Sequence, residues 1–385
     1  MSKHDFTAEE FAGRVARARR AVAAAGLDWL VVVHPVSIHW LTGGEAKSYQ
    51  GFQCLLLAAD AKPLTLLSRG SDIGEWQDDA LIEEAIGWGG GEPADPIEAF
   101  AQLARDRGLL SARVGLDVPG YYLHPHHYLR LRDLLGPALV AEPTNLIHDL
   151  KARKSSAELA LTREAAARAD AAFRACMAIA APGRSELELA AEGYRALLAS
   201  NCGLPASTMN LVTGERLCYP HGAPTQRVLR AGDAGNIELG AAFRRYTATL
   251  GRNFQLGKPP ARLRAVHDVV RDAGEAMMAA IHPGVPAIVP HEAAKRIIAA
   301  AGLDAGRLHT SGYGLAPGFP PSWGEPLNMF GGSTAVIEEG MVLTIEPPVF
   351  LHAERLGARL IDNVIVTATG AELLSKLPRA IIEVG

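Results

Sequence analysis

The sequence predicts a two-domain protein of the α/β (α+β) class, and three observations predict it. Residues 1–148 alternate continuous apolar runs with helix-like segments, as an α/β layer does. Residues 149–385 open on an alanine-rich stretch almost free of Gly and Pro, then place helix pairs before strand-like runs twice in succession. The chain has 385 residues, 48% apolar and 21% charged, enough to bury two cores.

Taken in order, Phe11, Val15 and Val22 fall near helical spacing within 7–25, and Gly26 is a natural stop. DWLVVVHP reads as a strand ended by Pro35. QCLLLAA, KPLTLLS and ARVGLDV read as further strands, with helices over 97–107 and 125–135 between them. Within 150–200, Ser155 or Ser156 caps one helix, with Glu158 in its first turn. Ser185 starts the next helix after a Pro-Gly stop. IELGAAF and ATLGRNFQLG are strand-like, and helices over 262–281 and 290–301 follow. MVLTIEPPVF and ARLIDNVIVTATGAELL read as paired strands. The two helix–helix–strand blocks suggest an internal duplication, which no sharp sequence repeat supports. GYGLAPGFPPSWGEP (312–326) reads as a rigid binding loop over a pocket or as an ordinary connector.

Composition excludes several functions. A net charge of -4 and a pI near 6.4 give no basic footprint for nucleic acid and no polybasic membrane patch. No stretch of about 18 apolar residues predicts a span. Four cysteines without a CxxC pair, and an N-terminus without an apolar signal core, point to reduced thiols in a cytoplasmic protein. GxSxG, Walker A, HExxH and GxGxxG motifs are absent. HPHH at 124–127 lacks a Cys or acid at ligand spacing and reads as surface histidines.

Three residues stand out as catalytic candidates. His221, in PHGAP, is a loop histidine able to move protons, or a surface imidazole. Glu238 alternates with Ile237 and Leu239, so its carboxyl faces either solvent or a cavity. Glu346, in an apolar run ended by Pro347 and Pro348, carries the same pair of readings. A buried carboxyl has a raised pKa and serves as acid, base or nucleophile. His309 precedes a small-residue loop, and Phe319 and Trp323 are candidate pocket walls.

Together these residues resemble the creatinase/prolidase/methionine aminopeptidase (M24) superfamily. LVVVHPVSIHWLTG resembles its creatinase-type N-terminal domain, and KSSAELALTREAAARAD its linker helix. PHGAPTQRVLRAGD, GMVLTIEP and VIVTATGAELL resemble landmarks of its pita-bread catalytic domain. The resemblance implies a creatinase-like domain over 1–148 and a pita-bread domain over 149–385. Metal-dependent members use Asp, Asp, His, Glu and Glu. Those positions fall here on Glu238, Thr249, Tyr313, Glu346 and Ile361, a set too poor in charged oxygens for a dinuclear site. Asp362 and His309 are the residues left to hold one weak ion.

Within the superfamily, metal-free creatinase and ectoine hydrolase fit better. IELGAAFRRYTATLGRN and GYGLAPGFPPSWGE resemble segments of ectoine hydrolase, with Thr247 for a histidine and Ser322 for an acid. Gln53-Cys54 and Arg69-Gly70-Ser71-Asp72 resemble two more. Retention of Glu346 is a departure from it. The resemblance implies a hydrolase of a C–N bond in a small zwitterion, without metal or other cofactor. Glu238 is then nucleophile or base, His221 the acid–base group, and Glu346 the grip on a cationic amidine, which lowers its own pKa. Tyr313, Trp323 and Phe319 shape the pocket, with His309 and Thr249 as further contacts. Arg69 reaches a substrate carboxylate across a homodimer interface. An atypical Xaa-Pro dipeptidase and a non-catalytic binding member remain the alternatives.

Overall fold

The structure, a computed structural model, describes residues 4–92, 94–117, 121–143 and 145–385. The chain parts into two compact units, Met1–Lys151 and Ala152–Gly385.

Among the described residues the first unit carries six strands: β1 (Trp29–Val32), β2 (Cys54–Ala58), β3 (Thr65–Arg69), β4 (Glu84–Trp88), β5 (Val114–Leu116) and β6 (Leu139–Ala141). Their order is β4-β3-β2-β1-β5-β6, with β1 antiparallel to β2 and parallel to β5. Both faces are covered. Val31, Leu56 and Leu67 pack with Phe100 and Leu131 on one side. Leu30, Val32, Leu55 and Leu57 pack with Val22 and Trp40 on the other. Double burial is why these strands read as unbroken apolar runs. The helices are α1 (Ala8–Ala24), α2 (Pro35–Thr42), α3 (Ile73–Asp79), α4 (Pro96–Asp106), α5 (Pro125–Leu135) and α6 (Leu146–Ala152). Pro35 does more than end a strand: it opens α2, where its missing N–H costs nothing, and His34 caps that helix.

The second unit begins with α7 (Ser156–Ile179) and α8 (Glu186–Ala199). Ser155 with Glu158, and Ser185 with Glu188, form complete capping boxes. The strands are β7 (Asn210–Thr213), β8 (Ala234–Phe243), β9 (Tyr246–Leu256), β10 (Tyr313–Phe319), β11 (Ser322–Asn328), β12 (Val342–Ile345), β13 (Val349–Leu351), β14 (Leu356–Ala358), β15 (Asp362–Thr367), β16 (Gly370–Leu373) and β17 (Ile382–Val384). The main sheet runs β16-β15-β12-β10-β9-β8-β7, with β11 on β10 and β17 on β9. α9 (Ala261–Ala280) and α10 (Ile288–Ala300) complete the unit. The paired strands read from 341–350 and 358–374 meet as β12 and β15, Val342 opposite Ile365.

Strand alternation decides what faces the site. On β8, Ile237, Leu239 and Ala241 enter an apolar core with Phe173 of α7 and Leu189 of α8. Glu238 lies between them and so points to the opposite face. One expectation fails here. Residues 312–326 are not a loop but most of the β10–β11 hairpin, with Leu315 opposite Gly324 and Phe319 opposite Ser322. Register shifts between these pairs accommodate the Gly and Pro residues that gave the stretch its loop-like composition.

Candidate active site

Glu238 lines a cavity of about 260 Å³. Its lining includes Asn210, His221, His309, Tyr313, Ser322, Trp323, Glu325, Asn328 and Glu346. The register explains the first contact: Asn210 on β7 lies directly opposite Glu238 on β8, and its Nδ2 donates to Glu238 Oε2 at 2.7 Å. Arg359, 1% exposed, donates from Nη1 to the same oxygen. Glu238 is itself only 6% exposed, so this is a buried, charge-assisted pair. Both bonds fall on Oε2, leaving Oε1 for a ligand.

Arg359 also reaches the loop that carries His221, because its Nη2 donates to the carbonyl of Pro220. The imidazoles of His221 and His309 lie 5.6 Å apart, centroid to centroid. His309 Nδ1 lies 2.9 Å from the carbonyl of Thr310, so the neutral ring carries its proton there and keeps Nε2 as an acceptor. Burial lowers the pKa of His309, which favours that neutral form.

Glu346 follows β12, and its backbone N–H is fixed on the carbonyl of Ser311 at 2.8 Å. The carboxyl is 1% exposed, and Oε2 has no protein hydrogen-bond partner. His309 Nδ1 is 3.9 Å from Oε1. Burial, helped by the Glu238 carboxylate and opposed by Arg359, pushes Glu346 up to about 8. The cavity reading of Glu346 implies this raised value, and the lowering expected from a cationic amidine would act against it only once that group is bound.

Trp323 of β11 packs against Gly240 of β8, where a Cβ would stand 2.6 Å from its ring. Trp323 Nε1 donates to the Tyr313 hydroxyl at 3.1 Å. Burial and the Glu346 carboxyl raise the Tyr313 pKa well above its ordinary value, so the phenol stays protonated. Glu325, a second wall carboxylate, accepts from Lys154 Nζ at 2.6 Å, with both side chains buried. Of the three carboxyls lining the cavity, Glu238 and Glu325 each have a resident cation, and Glu346 does not.

The cavity thus gathers His221, Glu238, His309, Tyr313, Trp323 and Glu346 from the sequence candidates. Three others lie outside its lining. Phe319 is buried with the Arg245 guanidinium 4.3 Å over its ring. Thr249 is taken up by Asn363, whose Oδ1 accepts from Thr249 N at 2.5 Å while Nδ2 donates to Oγ1 at 2.9 Å. Arg69 belongs to the first unit, where it pairs with Asp72 at 3.3 Å and donates to the Lys47 carbonyl. The sequence reading missed Arg359, Asn210 and Glu325. A charged residue inside the apolar run ARLI was the one signal for Arg359.

The nine-stranded sheet with its paired helices and its acids facing one cavity defines a pita-bread hydrolase scaffold. The chain belongs to the metallopeptidase M24 family: that family's profile matches residues 160–368, and the creatinase/prolidase N-terminal domain matches 14–150. Ectoine hydrolase of Halomonas elongata is 26% identical over 97% of each chain. Agropine synthesis cyclase of Rhizobium rhizogenes is 30% identical over 95% of this chain and 96% of its own. The crystal structure of dipeptidase PepE from Mycobacterium ulcerans superposes with a TM-score of 0.85 at 26% identity, covering 98% of this chain and 99% of that one.

The family name implies metal ions, and the donors here do not fit a dinuclear centre. Thr249 spends its hydroxyl and N–H on Asn363, and Ile361 has no donor. Tyr313 is a protonated phenol. Asp362, the neighbour considered for one weak ion, is fully buried and committed to Arg252 at 2.6 Å and Arg379 at 2.8 Å. Hard ions held as a pair need several charged oxygens, and only Glu238 and Glu346 remain to offer them.

Proposed function

We propose that this protein is a metal-independent hydrolase that cleaves a C–N bond, in an amidine, amide or ring, of a small zwitterionic amino-acid derivative. The observation that carries the reading is the donor exchange around Glu238: an arginine and an asparagine hold its carboxylate, while Thr249 is tied to Asn363 and Ile361 is apolar. The cavity supports a small substrate, since 260 Å³ lies below the roughly 300–1,000 Å³ of drug-sized sites.

Glu346 receives the cationic end of the substrate, and ionises as it does so, its proton passing to solvent. Glu238 acts through Oε1 as base. It takes a proton from water as the water oxygen bonds to the amidine or amide carbon. The C–N bond then breaks, and His221 delivers a proton to the departing nitrogen. Water has added OH to carbon and H to nitrogen, and proton transfer from Glu238 back to His221 resets the site. Tyr313 and Trp323 bound the pocket, and Tyr313 offers its O–H to the developing oxyanion. Arg69 enters this reading only through a second copy of the chain.

Likeness to ectoine hydrolase and to a cyclase supports ring chemistry on a small molecule. Likeness to dipeptidase PepE favours a second reading, a dipeptidase with an atypical site, for which the family resemblance suggests Xaa-Pro substrates. The test is turnover by metal-stripped full-length protein of creatine, ectoine, hydroxyectoine and Xaa-Pro dipeptides. Turnover of a zwitterion supports the proposal. Cleavage of an Xaa-Pro dipeptide only after Mn²⁺ is added sinks it in favour of the second reading.

A further inference from the structure

We propose that Glu186, which lies outside the cavity lining, is a positioning residue that sets the place of His221. The inference rests on the acid–base reading of His221 for its catalytic consequence, but not for its structural one.

His221 sits on the loop between β7 and β8, and loops of this kind hold a side chain only if something pins their backbone. Here the pins stand on both sides of the imidazole. The Pro220 carbonyl accepts from Arg359, the Gly222 carbonyl from Leu211 N at 2.9 Å, and the Ala223 carbonyl from Arg216 Nη2 at 2.8 Å. The first two pins come from groups tied to Glu238 and its sheet. The third hangs on Glu186.

Glu186 is the first residue of α8 and is wholly buried. Its Oε1 accepts from Thr213 N and Oγ1, each at 2.8 Å. Its Oε2 accepts from Thr225 N at 3.0 Å, from Thr225 Oγ1 at 2.7 Å and from Arg216 Nη1. One carboxylate therefore ties the end of β7, the chain four residues beyond His221 and the arginine that grips Ala223. The start of α8 strengthens the strap, because Glu186 N and Leu187 N donate to the carbonyls of Arg227 and Thr225. A buried charge satisfied by this many donors holds one geometry, since loss of the charge leaves a partly buried guanidinium without its counter-ion.

The test uses the full chain with Glu186→Gln, and Glu186→Asp as the conservative rescue. Hydrogen–deuterium exchange is followed in peptides covering 217–226 and, as control, 234–256. In E186Q the loop peptides exchange at least about tenfold faster while the β8–β9 peptides keep their protection, and E186D restores most of the difference. On whichever zwitterion the wild type turns over, kcat falls about tenfold or more in E186Q with KM within about twofold. Unchanged exchange at 217–226 overturns the proposal. So does a uniform rise across the second unit, which marks Glu186 as a general stability residue. His221→Ala separates the two ideas: if it keeps full turnover, the acid–base reading fails while the exchange result still judges the strap.

Discussion

Replacing Glu346 by Gln should change how stability responds to alkali. Glu346 ordinarily loses its proton near 4.5 in an unfolded chain, and in the folded protein burial and Glu238 hold it to about 8. Between those values the folded state binds a proton that the unfolded state has released. Stability contributed by the protonated, buried carboxyl is thus complete below about 4.5 and declines as pH rises toward 8. At about 1.4 kcal/mol per pH unit the gap sets a ceiling of about 5 kcal/mol. Local relaxation brings the expected loss to roughly 3 kcal/mol. Glutamine keeps the shape and cannot ionise, so E346Q should lack this decline. The assay is urea unfolding of wild type and E346Q at intervals from pH 5 to pH 9, followed by fluorescence of Trp323 and the other tryptophans. The difference between the two proteins should shift by about 3 kcal/mol in favour of E346Q as pH rises, about 6–12 °C if read as melting temperature. Parallel curves would refute the argument that Glu346 is a buried acid without a cation.

Other outcomes follow from the same contacts. Glu238→Gln and His221→Ala should each lower kcat by at least about 10²-fold, and full turnover in both removes them from catalysis. Arg359→Met strands the Glu238 carboxylate and frees Pro220, so it should cost about 3–5 kcal/mol in urea unfolding; a cost under about 1 kcal/mol contradicts the buried pair. A single turnover in H₂¹⁸O should label the product and leave the Glu238 peptide unlabelled by mass spectrometry. Label in that peptide would make Glu238 the nucleophile instead of the base.

Much of the fold was legible because local signals agreed with tertiary ones. The helix read over 125–135 is α5, Pro125–Leu135, and the serine caps at 155 and 185 stand where each helix begins. The double-faced apolar runs of the first unit marked its strands. The β10–β11 hairpin was read as a loop because Gly and Pro dominate 312–326, and only pairing with β9 and β12 reveals a strand there. Glu238 was found by its alternation with apolar neighbours, and Glu346 by its place in an apolar run. Their electrostatic fate was not, because it depends on distant residues: Asn210 is 28 positions from Glu238 and Arg359 is 121. Thr249 was misplaced for the same reason, since Asn363, which claims it, lies 114 positions on. The strap from Glu186 to Thr225 likewise spans 39 residues and leaves no local pattern.

Calorimetric titration of the metal-stripped, full-length protein with Mn²⁺, Co²⁺ and Zn²⁺, checked by elemental analysis after desalting, addresses the central claim most directly. With Thr249 bound to Asn363, Asp362 bound to two arginines and Glu238 bound to Arg359, no pair of ions should bind more tightly than about 10 µM. Two ions per chain, retained through desalting and lost in Glu238→Gln, would contradict the account.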